Sequence, residues 1–103
     1  MTVIEIPITS AEPRFEQENE AFAQGFILDF EWIESESFWM LHIFDEDRSP
    51  LSLGVKVQSD WPLYVHYLKS SSIIFMLVSA SFGQVLSRHT LKTHFALVAY
   101  EAF

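Results

Sequence analysis

Between Gly25 and Gln58 three apolar runs of strand length are separated by two short polar breaks, the spacing of a three-stranded antiparallel meander. Side chains alternate along a strand, so in the first run Phe26, Leu28, Phe30 and Trp32 share one face while Asp29 and Glu31 take the other. Glu34 to Ser37 forms the first turn. The second run sets Trp39, Leu41 and Ile43 against Phe38, Met40, His42 and Phe44, which makes both of its faces largely apolar. Asp45 to Pro50 holds the Asp, Ser and Pro residues that favour tight turns. The third run sets Leu51, Leu53, Val55 and Val57 against Ser52, Gly54, Lys56 and Gln58. A slip of one residue would move the Leu and Val set into water, so the register is expected to be strongly fixed there.

The flanking segments must cover this sheet. Thr2 to Thr9 alternates Ile4, Ile6 and Ile8 against Val3, Glu5 and Pro7, and Pro7 places that strand at an edge. The acidic segment Arg14 to Gln24 reads as a short strand from about Phe15 to Glu18. Leu63 to Lys69 fits a helical turn or a strand, and seven residues do not decide between them. Ile73 to Ala80 is continuously apolar and reads as a strand buried on both faces. Ser81 to Thr93 reads as a loop with a short strand near Val85 and Leu86. His94 to Phe103 alternates Phe95, Leu97 and Ala99 against Ala96, Val98 and Tyr100, again a strand. Six or seven strands with few helical signals predict one all-β domain over residues 1–103, a small antiparallel β-sandwich or open barrel built on the meander.

Half of the chain is apolar and 16% is aromatic, ample material for a single core. There is no cysteine, which rules out disulfides and thiolate metal sites. The opening residues lack the basic and long apolar regions of a signal peptide, and the run Ile73 to Val78 falls far short of the ~20 residues of a membrane helix. A soluble chain is expected. The net charge is −8 and is unevenly placed. Twelve acids and one base precede Arg48, whereas two acids and five bases lie from Arg48 onward. This balance excludes a general nucleic-acid binder, which needs a basic footprint to displace counterions. It suits a basic partner surface, head-to-tail contact between copies, or simply a solvated acidic face.

Catalytic and metal-binding patterns are missing from the sequence. His42, His66, His89 and His94 are scattered, with no spacing suited to zinc. Asp45 to Ser49 begins like a calcium loop, but Pro50 stands where glycine is needed and Lys56 where a bidentate glutamate is needed. Asp29 and Glu31 lie on the polar side of an amphipathic strand, where solvation is the simpler expectation. Glycines at 25, 54 and 83 alone cannot build a phosphate loop. No enzyme and no cofactor are expected.

What stands out is the apolar surplus. Phe38, Met40, His42 and Phe44 line the second face of the central run, and Trp61, Tyr64, Tyr67, Phe82 and Phe103 fall in or near loops. These nine are the candidate partner-contact residues, since a small domain has limited interior. The competing reading is a two-sheet core thick enough to hold them all.

Several segments, in order, resemble a known family. They are the opening through Ile6-Pro7-Ile8, the Phe26–Trp32 strand, Phe38 to Asp45, the turn Asp47-Arg48-Ser49-Pro50, Leu51 to Val57 around Gly54, and Leu97-Val98-Ala99-Tyr100. This order is similar to that of the small plug proteins in the baseplates of contractile-tailed phages and related prophage elements. The chain departs from it at Ile33-Glu34-Ser35-Glu36, where the family carries Asn and basic residues, and at Ile73 to Phe82, which lacks the family's acidic and proline residues. The resemblance implies a non-enzymatic virion component, assembled in the host cytoplasm and held in multiple copies by the tail hub, tube initiator or spike at the central channel. It implies neither specific nucleic-acid binding nor membrane insertion. An acidic face would let a passing genome slide without sticking. The alternative function is a small acidic cytosolic module that binds a basic protein.

Overall fold

The computed structural model describes residues 3–80 and 84–102. Eight strands and one helical turn follow one another: β1 (Val3–Ile6), β2 (Arg14–Ala21), β3 (Gln24–Ile33), β4 (Phe38–Asp45), β5 (Pro50–Lys56), β6 (Pro62–Tyr67), β7 (Ser72–Ser79), α1 (Leu91–His94) and β8 (Phe95–Ala102). They form two four-stranded antiparallel sheets, ordered β1-β8-β7-β6 and β2-β3-β4-β5. The first is sheet A and the second sheet B. The expected all-β sandwich is what forms. Read around the sandwich, the strands follow chain order, and β8 returns to lie beside β1.

The core is built by alternation. Phe26, Leu28 and Phe30 of β3 and Trp39, Leu41 and Ile43 of β4 point inward from sheet B. Ile73, Phe75 and Leu77 of β7 with Phe95, Leu97 and Ala99 of β8 face them from sheet A. Phe26 meets Phe75 edge to face at 4.9 Å, joining the two sheets, while Phe15 stacks on Phe30 at 5.0 Å. Each such fully buried side chain contributes roughly 1.5–3 kcal/mol.

The two corners where the sheets part are closed by other means. Between β1 and β2 the chain leaves the ladder, and the amide of buried Gln17 bonds the backbone on both sides of Ile8. Its Nε2 donates to the Pro7 carbonyl at 2.9 Å and its Oε1 accepts from the Thr9 N–H at 3.1 Å. Between β5 and β6, the Val57 N–H donates to the Trp39 carbonyl and the Asp60 N–H to the Leu77 carbonyl.

Several expectations need correction. The acidic strand runs the full eight residues of β2, because its length is set by pairing with β3 from Arg14↔Glu31 to Ala21↔Gln24. The β2–β3 turn holds Phe22 and Ala23 at φ 54 and 64, positive values that a two-residue hairpin turn demands and that carry no glycine signature. For the segment left open between helix and strand, β7 offers a paired edge, and Pro62–Tyr67 is strand. No strand forms at Val85 and Leu86; a helical turn, Leu91–His94, forms further on and buries Leu91.

The expected alternation of Leu51, Leu53, Val55 and Val57 through β5 is also interrupted. Two irregularities break the pairing of β5 with β4, and Leu53 is left 60% exposed. The first lies at Gly54, at φ +72, whose N–H donates to His42 Nδ1 at 3.0 Å; the second lies at Leu51, between the pairs Ile43↔Ser52 and Phe44↔Pro50. The first is a bulge, with an extra residue on β5 opposite His42. Finally, β7 is buried on one face only: Ile73, Phe75 and Leu77 are enclosed, whereas Ile74, Met76 and Val78 are half-buried.

Candidate functional site

Cross-strand partners share a face, so the registers define what each sheet turns outward. On sheet B the outward rows are Arg14–Glu31–Met40–Lys56, then Glu16–Asp29–His42, then Glu18–Ile27–Phe44–Pro50. One half of this face, carried by β2, is acidic. The other half, carried by β4, is apolar.

The acidic half is partly self-neutralised. Arg14 donates to Asp29 at 3.1 Å and to Glu31 at 3.2 Å, and Arg48 donates to both oxygens of Glu16 at 2.7 and 3.1 Å. The hydrogen bond from Arg48 holds the Glu16 carboxyl below the usual carboxylate range, and the bond to Asp29 raises the Arg14 guanidinium further. Asp29 is therefore buried beneath an arginine and not simply solvated, which corrects the expectation for that residue. A depression of about 310 Å³ lies beyond, lined by Glu18, Asn19, Glu20, Gly25, Phe26, Ile27 and Glu46. Among the described residues no group of His, Asp or Glu side chains is placed to hold a metal ion.

The candidate contact residues divide into distinct settings. Phe38, Met40, His42 and Phe44 stand together in one outward row along β4, all half-buried. Lys56 Nζ sits 5.4 Å over the Phe38 ring, and His42 uses Nδ1 as an acceptor for Gly54, which places its proton on Nε2. Trp61 and Tyr67, 66% and 79% exposed, flank β6 at its two ends, well apart from the β4 row in the chain's topology. Tyr64 turns inward: its ring stacks with Phe75 at 6.3 Å, and burial pushes its hydroxyl pKa up. Phe82 and Phe103 lie outside the described residues.

A second surface was not anticipated. On the outer side of sheet A, Val65, Ile74 and Tyr100 form one row with Val3, Met76 and Val98 form the next with Glu5, and Val78 pairs with Ala96. A continuous apolar run such as Ile73 to Val78 conceals which of its faces is outward. The alternation that reveals it lies in β8, where Val98 and Tyr100 oppose the buried Leu97 and Ala99.

The fold is a small two-sheet β-sandwich that turns apolar side chains outward on both sheets. The chain matches the family model described as cyanophage baseplate Pam3 plug gp18 over residues 3–102, and it belongs to that family. Membership agrees with the resemblance drawn from the strand and turn order and supports a structural role in a tail baseplate. No curated protein and no solved structure matches the chain.

Proposed function

We propose that this protein is a multi-copy plug or adaptor of a phage tail baseplate, held by the tail hub or tube initiator around the central channel. Family membership across residues 3–102 is the observation that carries this reading. The outer face of sheet B gives it a physical basis. Phe38, Met40 and Phe44 offer an apolar strip, and Glu18 and Glu20 border it with charge that no ion pair among the described residues offsets. The strip favours an apolar ridge on the partner, and the carboxylates select bases beside it.

Co-expression with the hub and tube-initiator proteins of a phage tail baseplate tests the proposal. The expected result is a co-eluting complex, weakened at least ten-fold by Phe38→Glu and only modestly by raising salt. Failure to bind any tail protein would count against a baseplate role. Binding to a basic protein outside the tail that collapses as salt rises would favour the acidic binding module.

A further inference from the structure

We infer that the outer face of sheet A is closed by a second copy of this chain, sheet A against sheet A. The assignment rests on the multi-copy reading above and gives it a geometry.

The face is apolar and almost uncharged. Val65, Ile74, Met76, Val78, Val98 and Tyr100 cover it, each half-buried in the single chain. Among the described strand residues the outward charge is Glu5, at the β1 edge; Glu101 pairs with Ile73 on the inward side. An apolar sheet face is covered efficiently by another sheet about 10 Å away, the packing that sheets A and B already use between themselves.

The placement of charge decides which face copies can share. Sheet B turns Glu16, Glu18, Glu20, Asp29 and Glu31 outward against Arg14 and Lys56, with Arg48 bonded to Glu16, so the face keeps a net negative charge and two such faces brought together would repel. Joined through sheet A, four sheets stack at intervals of about 10 Å, and the two acidic sheets end roughly 30 Å apart. That is several times the Debye length of about 8 Å at physiological ionic strength, so a chain of net charge −8 meets its copy there with little repulsion. A two-fold contact also requires each face to complement itself, and an uncharged face does so without any pairing of opposite charges. The sheet B faces then remain free, at the two ends, for the hub.

Sedimentation of the isolated chain over a micromolar concentration series is the test. Wild type should approach twice the chain mass, and Met76→Lys should return it to a single chain with an unchanged far-ultraviolet circular dichroism spectrum. Phe38→Glu, on the other sheet, should remain paired. Methyl resonances supply a readout on the wild type alone: those of Ile74, Val78 and Val98 should shift on dilution while that of Ile27 stays fixed. A single-chain mass at every concentration, or pairing that survives Met76→Lys, overturns the inference, as does a dilution shift confined to sheet B. A monomer that still binds the hub removes the sheet A pairing and leaves the baseplate reading standing. A pair that ignores every tail protein does the reverse.

Discussion

Trp39 shows how one side chain ties the sandwich together. Its ring is 1% exposed and meets Trp32, Phe15 and Phe30 edge-on at 5.6, 6.1 and 6.5 Å. Its indole N–H donates to the Ser87 carbonyl at 2.9 Å, drawing the segment before α1 down onto sheet B. That segment is braced in turn by Thr90, whose hydroxyl donates to the Val85 carbonyl and accepts from the Ser87 N–H. Trp39→Phe keeps an aromatic ring but leaves a void and an unpaired carbonyl. It should lower stability by about 2–4 kcal/mol in urea unfolding. A loss below about 1 kcal/mol would mean that the indole hydrogen bond and its volume matter little. The inward position of Trp39 was readable from alternation with Leu41 and Ile43. Its partner 48 residues away was not, because no local pattern encodes a side chain bonding to the backbone of a distant loop.

Among the elements, β5 departs furthest from its sequence pattern, and Gly54 sets the first of its two irregularities. At φ +72 a side chain is strained by its own backbone, although a Cβ there would find ordinary space, with Met40 Sδ 4.0 Å away. Gly54→Ala should therefore cost about 1 kcal/mol, read as a fall of roughly 4–8 °C in melting temperature. An unchanged melting temperature would show that the bulge relaxes freely. The meander itself was legible because β3 and β4 each need only an amphipathic alternation and a short turn. The bulge was not, since glycine in a strand permits a positive φ without demanding one. For the contact surface the same logic holds. The outward placing of Phe38, Met40, His42 and Phe44 was legible because a largely apolar strand in a meander has a face left over. The sheet A face stayed hidden because β7 reads as apolar on every residue from Ile73 to Val78, and only its position between β6 and β8 exposes one side.

At the scale of the whole molecule, the two sheets differ in how much chain each must gather. Sheet B is a run of consecutive hairpins, β2 to β5, each strand paired with its neighbour in sequence. Sheet A joins β1 to β8, setting Val3 against Tyr100, and so needs the ends of the described chain brought together. Closing a long loop costs entropy before its contacts return anything, and local pairings accordingly form first. Sheet B carries its own inward aromatic cluster of Phe15, Phe30 and Trp39, which gives the early sheet something to collapse around. Pulse-labelling hydrogen exchange during refolding should show the amides of β3 and β4 protected before those of β1 and β8. Simultaneous protection of both sheets would mean that the sandwich forms only as a unit. Protection of β8 ahead of β3 would instead place the nucleus in sheet A. If sheet B does lead, the face assigned to the hub exists before the face assigned to a second copy, and partner binding during synthesis would begin from the sheet that is complete first.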